Sequence, residues 1–406
     1  MIRHFPFFEA IGTLDEKSPE RMSAFAGLGV LRVVDRVIEE GDEATPGEWT
    51  ELHSTRKTVE AMAVGDPARA ILLRILEGVA TEETLSHDIG LNLLTYGRAL
   101  DLEARWPLAV DVFQSVADSF SERQHFRIVI EASTALGAAA RNAGDWEAST
   151  AGYTRAEHLA VASGEKELEL IARIGMATSH MVRGNLPAAE TEIDEILREA
   201  QTRGIERATA VALHARASVA HSRGDYGQAV HFGYRSLELT TNPAARDRIV
   251  ADLAAAYAGL GMTEVARDAY SIVAMTSPHQ SVRWQAALNL MELSIDEGDE
   301  NAFNGYATGL ESEALDPRLR AYFLLLEARA SRRFGRADSP GRFETAREYA
   351  ATHLLHQIAF ESEAALEEKS EAPLGYTTLF AVDSTPSPEL ARIAEALQHL
   401  RQVGST

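Results

Sequence analysis

The 406-residue sequence contains no cysteine, which excludes disulfide bonds and thiolate-based catalytic or metal sites. It also lacks an apolar run of the ~20 residues that a membrane-spanning helix needs. The N-terminal stretch MIRHFPFFEAIG is interrupted by Pro6 and Glu9 before it reaches the apolar length of a signal peptide. We therefore expect no membrane association and a cytoplasmic location.

Basic residues are scarce relative to acidic ones. The chain carries 39 Lys+Arg against 61 Asp+Glu, which gives a formal net charge of −22. A field of this sign repels nucleic-acid phosphates and anionic lipids, so we predict no nucleic-acid partner. Aromatic residues are only 7% of the chain while alanine is frequent, a composition that favours closely packed helices.

A short turn recurs along the chain. The stretch RNAGDWEAST, residues 141–150, contains Gly-Asp-Trp, and SRGDYGQAV repeats it as Gly-Asp-Tyr at residues 224–226. Aligned on this glycine, the equivalent residues are separated by 39, 40, 40, 40, 37, 37 and 37 positions. They are Gly65, Ala104, Gly144, Gly184, Gly224, Gly261, Gly298 and Gly335. A period of this kind indicates tandem structural repeats.

Other positions keep step with the turn. The residue seven before it is mostly small, as at Gly97, Gly137, Ala177, Ala217, Ala254 and Ala328. The residue five after it is also small, as at Ala109, Ser149, Ala189, Ala229 and Ala266. The residue nine after it is large and apolar at Phe113, Tyr153, Ile193 and Tyr270, with Gly233 as an exception. Each repeat is therefore predicted to be a helix A, a tight turn and a helix B.

The turn residues suit that arrangement. Glycine can close helix A in the left-handed conformation, and a following Asp145, Asn185 or Asp225 can cap the free amides of helix B. The next residue is aromatic in two repeats. Trp146 and Tyr226 are predicted to pack into the angle between the helices as core residues.

These features resemble the tetratricopeptide repeat family, and ALGAAARNAGDWEASTAGYTRA, residues 135–156, is the best match. The resemblance implies an all-α, right-handed α-solenoid of about eight antiparallel helix pairs with helical caps at both ends. It also implies a concave groove, lined by the A helices, that receives a peptide or protein segment. Repeats of 37–40 residues exceed the 34 usual in that family and overlap the lengths of HEAT and armadillo repeats, which remain the structural alternative.

We expect three regions along the chain. Residues 1–47 form an N-terminal helical cap, in which a helix begins at Ser18-Pro19 and ends at Gly41. Residues 48–362 form the solenoid. Residues 363–406 form an extended segment and a capping helix that begins at Pro388. The apolar stretch LGYTTLFAV at 374–382 is expected to pack on the last repeat or to bridge to the C-terminal helix; if it occupied the groove instead, it would mimic a ligand and indicate autoinhibition.

Signatures of catalysis and metal binding are absent. The sequence has no HExxH, Walker loop, GxSxG or calcium loop. His353 and His356 are spaced for one helical face, as are His214 and His221, but neither pair has a third ligand at motif spacing. We predict that the protein is not an enzyme and binds no cofactor or metal; an enzyme with a site built across several helices stays as an alternative.

Helical spacing along the A helices nominates a partner-binding groove. The predicted residues are Arg98, Arg141, Asn142, Thr178, His214, Ser218, His221, Arg248, Arg329 and Arg332. Further members of the same faces are Asp101, Glu131, Thr134, Gln285, Glu292 and Tyr322. The charged positions are more basic than the chain as a whole, which suits a segment that carries carboxylates.

We therefore predict a non-catalytic scaffold or adaptor that binds a peptide or protein segment. The alternative is a bacterial peptide-sensing regulator of the quorum-sensing receptor type, acting through a protein partner, because N-terminal helices followed by seven or eight long repeats look like such receptors. Self-association through an uncovered end is also left open.

Overall fold

The computed structural model describes residues 3–41, 44–81, 86–277, 279–313, 315, 317–353, 355–367 and 392–395, and every regular element within these ranges is helical. The chain divides into two compact units, Met1–Ala208 and Thr209–Thr406. The all-α class and the tandem packing of helices predicted from the sequence are confirmed.

Ten described helices belong to the first unit, and a 3-10 turn at Pro46–Glu48 precedes the third. The helices are α1 (Phe5–Thr13), α2 (Pro19–Glu40), α3 (Thr50–Glu60), α4 (Pro67–Thr81), α5 (His87–Leu102), α6 (Trp106–Ser119), α7 (Phe126–Ala143), α8 (Trp146–Ser163), α9 (Lys166–Val182) and α10 (Leu186–Thr202).

The second unit begins within α11 and continues through eight more helices, and residues 392–395 are also helical. Its helices are α11 (Glu206–Ser222), α12 (Tyr226–Leu239), α13 (Pro243–Gly259), α14 (Thr263–Thr276), α15 (Gln280–Glu297), α16 (Glu300–Glu311), α17 (Pro317–Arg333), α18 (Ser339–Thr352) and α19 (His356–Glu367).

The predicted helix at the N-terminal end forms where the sequence indicates. The Ser18 hydroxyl accepts a hydrogen bond from the Arg21 amide, Pro19 is the first helical residue, and Gly41 ends the helix at φ 58°. The preceding helix α1 was not predicted. His4 caps it with a left-handed backbone, φ 58°, a conformation that a non-glycine residue rarely adopts.

The repeat alignment is confirmed at its turns. The chain has positive φ at Ala104 and at the six aligned glycines from Gly144 to Gly335, but not at Gly65. The side chains of Asp145, Asn185 and Asp225 each accept a hydrogen bond from the amide three residues on, as predicted, and Asp299 does the same. Consecutive helices from α3 to α18 are thus paired across these turns, and we call the first helix of each pair an A helix and the second a B helix.

The A helices also contact one another. In the first unit α5 contacts α7 and α7 contacts α9, while in the second unit α13 contacts α15 and α15 contacts α17. The A helices α5, α7 and α9 therefore lie side by side in the first unit, as do α13, α15 and α17 in the second, where α11 reaches α13 through His214 and Asp252. We call the surface that these A helices form in each unit the A-helix face of that unit.

The small and large positions of the B helices pack as the spacing predicts. Ala189 is fully buried, and Phe113 and Tyr153 are only 1% and 2% exposed. The prediction that Trp146 and Tyr226 are core residues was wrong, since both are only half-buried. Each is the first residue of its B helix, so it covers the edge of the turn; the guanidinium of Arg183 lies 5.9 Å from the Trp146 ring.

The histidines of HLLH do not share a helical face. His353 follows the last residue of α18, whereas His356 begins α19. Within the described residues, no group of three or more His, Asp or Glu side chains is arranged to hold a metal ion, and no described helix is both long and apolar enough to cross a membrane.

The predicted apolar stretch 374–382 and the start of the C-terminal helix at Pro388 lie outside the described residues. The described piece 392–395 packs in the second unit: Ile393 and Ala394 are 2% and 6% exposed and belong to the apolar cluster formed by α11 to α15. The three regions expected from the sequence remain a prediction.

Candidate functional site

The predicted groove residues of the first unit lie on α5, α7 and α9, and most of them are joined by hydrogen bonds. Arg98 Nη2 donates to Glu131 Oε2 at 2.6 Å, and Asn142 Nδ2 donates to Asp101 Oδ1 at 3.4 Å. Both contacts run between α5 and α7. The sequence-predicted residues of these two helices are therefore brought together on the A-helix face of the first unit.

Arg141 connects this face to the buried tyrosine of helix B. Its Nη1 donates to the Tyr153 hydroxyl at 3.1 Å. Burial raises the pKa of Tyr153, with the nearby Arg141 charge opposing the shift. Thr178 on α9 uses its hydroxyl locally, donating to the Ile174 carbonyl at 2.8 Å, so it presents its methyl group rather than a free donor.

In the second unit, three predicted residues of α11 line one cavity. His214, Ser218 and His221 surround a volume of about 150 Å³ that is open to solvent and bounded by α11, α12 and α13. The floor is apolar and includes Ala217, Leu253 and the backbone of Gly233, and the rim is polar.

The rim of the cavity also contains an aspartate that the sequence analysis did not predict. Asp252 on α13 lines the cavity, and its Oδ2 lies 2.7 Å from His214 Nε2. The sequence contained the signal for Asp252, because Asp252 follows the predicted groove residue Arg248 by four positions and the two therefore lie on the same face of α13. Arg248 itself is exposed on that face.

The two histidines differ in their surroundings. Burial lowers the pKa of His221, and the Asp252 charge opposes this shift only in part. The His221 ring also packs edge-on against Tyr226, with their centroids 5.3 Å apart. The surroundings of His221 thus favour its neutral ring, which can accept one hydrogen bond, whereas His214 is paired with a carboxylate.

The last two predicted arginines make contacts within the second unit. Arg329 on α17 is 12% exposed and donates to Glu292 of α15 and Glu361 of α19, each at 3.0 Å. Glu292 also accepts from the Tyr322 hydroxyl at 2.7 Å. Arg332 donates to the Ala365 carbonyl and lies over the Phe343 ring at 4.4 Å. These contacts connect α15, α17, α18 and α19.

The comparisons with known proteins found distant structural similarity and no sequence match. No known protein family matches the sequence, and no curated protein does. A solved Rap protein in complex with the competence and sporulation factor aligns at 14% identity over 85% of this chain and 97% of that one, with a TM-score of 0.45. The TPR domain of P58(IPK) aligns at 16% identity over 92% of this chain and 98% of that one, with a TM-score of 0.23.

The geometry of the chain itself establishes the fold. Left-handed turn residues at the aligned positions, carboxylate or amide caps after them, and small and large residues alternating on the B helices recur from pair to pair. The chain is an all-α protein built of tandem tetratricopeptide-like helix pairs.

Proposed function

We propose that this protein is a non-catalytic scaffold that binds a peptide or protein segment on its A-helix faces. The observation that carries the proposal is the open cavity of about 150 Å³ on α11, α12 and α13, which is lined by three residues that the repeat spacing had nominated. An apolar floor with a few polar rim groups is the usual composition of a ligand site.

The polar groups of the first unit support the same role. Arg98 and Asn142 are exposed and hold carboxylates of neighbouring helices at hydrogen-bond distance. A bound segment that carries a carboxylate can replace these intramolecular carboxylates, because guanidinium and amide groups donate hydrogen bonds to a carboxylate of either chain. The net charge of −22 disfavours nucleic acid as the ligand.

The test is capture of partners from the source cells with the full chain, followed by quantitative binding of the captured ligand to variants. His214→Ala changes the cavity of the second unit, and Arg141→Glu changes the face of the first. We expect at least one of them to weaken binding about ten- to a hundredfold, as the loss of a charge-assisted contact in a recognition site does.

His158→Ala serves as the matched control, since His158 is an exposed histidine on the B helix α8. Circular dichroism and thermal unfolding establish that each variant is folded. Full retention of binding by both folded A-helix variants would show that the ligand uses another surface.

A further inference from the structure

In the regular repeats a ring from helix B fills the space between the helices of a pair. Phe113 packs over Gly97 so closely that a Cβ at Gly97 would lie 2.4 Å from the ring. Tyr153 lies between Gly137 of its own repeat and Gly175 of the next, where added Cβ atoms would lie 2.9 and 2.1 Å from its ring. These glycines make room for the ring.

The repeat formed by α11 and α12 lacks that ring. Its residue at the ring position is Gly233, and Ala217 stands where Gly137 stands in the earlier repeat. A Cβ at Gly233 would meet the tip of Leu253 at 2.9 Å and Ala217 at 3.8 Å. All three residues line the cavity of about 150 Å³, so the cavity lies beside the position that Phe113 and Tyr153 occupy in the earlier repeats.

The repeat alignment also identifies the residue of this repeat that corresponds to Arg141. Arg141 is three residues before its turn glycine and donates to the Tyr153 hydroxyl. His221 is three residues before Gly224 and lines the cavity. A phenol placed in this cavity as Tyr153 is placed in its own repeat would therefore bring its hydroxyl to the His221 ring.

We infer that this cavity binds a tyrosine side chain of the partner, with its ring between Ala217 and Leu253 and its hydroxyl hydrogen-bonded to His221. An apolar cavity of about this volume accommodates a benzene-sized ligand. The phenol hydroxyl donates a hydrogen bond to the unprotonated ring nitrogen of His221, and the His214–Asp252 pair forms the opposite rim. The inference rests on the proposed function, since it names the residue of the bound segment that enters the site.

The test uses p-cresol and toluene, the side chains of tyrosine and phenylalanine, titrated into the full chain and followed by NMR. We expect saturable binding of both, with p-cresol about three- to tenfold tighter, as one hydrogen bond predicts. His221→Ala should remove this preference while toluene still binds. No saturable binding of either probe to the wild-type chain would overturn the inference.

Gly233→Ile supplies the missing side chain, as Ile193 does one repeat earlier, and should abolish binding of both probes. Gly305→Ile is the matched control, because Gly305 is an exposed glycine of α16 with no atom within 4 Å of an added Cβ. Unchanged p-cresol binding by folded Gly233→Ile would place the probe elsewhere and overturn the inference.

Two further outcomes separate the inference from the proposed function. If p-cresol binds as described but the captured partner binds every A-helix variant as it binds the wild type, the cavity accepts a phenol, but the proposed function fails and the assignment of the phenol to the partner fails with it. If the partner responds to His214→Ala but not to Gly233→Ile, the proposed function stands and the tyrosine site fails. Tighter p-cresol binding by Tyr376→Ala would identify the chain's own tyrosine as the occupant and overturn the partner assignment.

Discussion

Nδ1 of His4 lies 2.6 Å from Oδ2 of Asp111, and the other ring nitrogen lies 3.1 Å from Oδ2 of Asp35. The side chain is only 3% exposed, and it joins the start of α1 to α2 and α6. Burial by itself lowers the pKa of His4, but the hydrogen bonds and charges of the two carboxylates outweigh burial and raise it to about 9.

This contact predicts a stability that falls at alkaline pH. Because the folded pKa of about 9 exceeds the unfolded value of 6.5, the contribution is fully present below pH 6.5 and is lost as the pH rises through 9. It amounts to about 3 kcal/mol of the unfolding free energy of the first unit. Urea denaturation across this range should show the loss in the wild type and not in His4→Gln, and an equal pH response of the two would contradict the assignment.

Ala104 occupies a turn at which the later repeats have glycine, and its φ is 57°. Ala104→Gly should stabilise the first unit by about 1 kcal/mol, because a side chain in the left-handed region strains the backbone and glycine does not. Ala143→Gly, at the end of α7, is the control and should destabilise by up to about 1 kcal/mol. Destabilisation by Ala104→Gly in urea denaturation would contradict the prediction.

Two buried alanines lie where an A helix and a B helix pack closely against each other. Ala189 and Ala229 are 0% and 4% exposed. Leucine at either position should overpack the crossing and cost about 1–3 kcal/mol. Ala151→Leu, on the exposed side of α8, should change stability by less than about 0.5 kcal/mol. Equal, negligible effects at all three positions would refute the repeat register.

The described C-terminal piece contributes to the core of the second unit. Ile393 is 2% exposed within the cluster of α11 to α15, so Ile393→Ala should destabilise that unit by about 2 kcal/mol. Arg392→Ala is the neighbouring control, since Arg392 is exposed. Thermal unfolding would measure the difference, and identical midpoints for the two variants would show that Ile393 packs only weakly.

The local chemistry of this protein was readable from the sequence. The turn register, the caps at Asp145, Asn185 and Asp225, and the start of α2 at Ser18-Pro19 follow from interactions between residues a few positions apart. The unusual Gly233 was also visible as a break in the pattern. The cavity beside Gly233 could not be predicted from the sequence. A missing ring leaves either a collapsed core or a cavity, and the packing of the surrounding helices decides which of the two forms.

The sequence by itself determined the helix pairs, their period and the residues that face one side of each A helix, because helical geometry relates neighbours along the chain to a common face. Only the tertiary structure decided the pairing of His4 with Asp111, 107 positions away, and the place of Asp252 opposite His214. It also decided that the α11 residues surround an open cavity whereas Arg329 is held between two glutamates. These outcomes depend on how closely neighbouring helices approach, which is set by packing across the whole interface and not by the spacing within one helix.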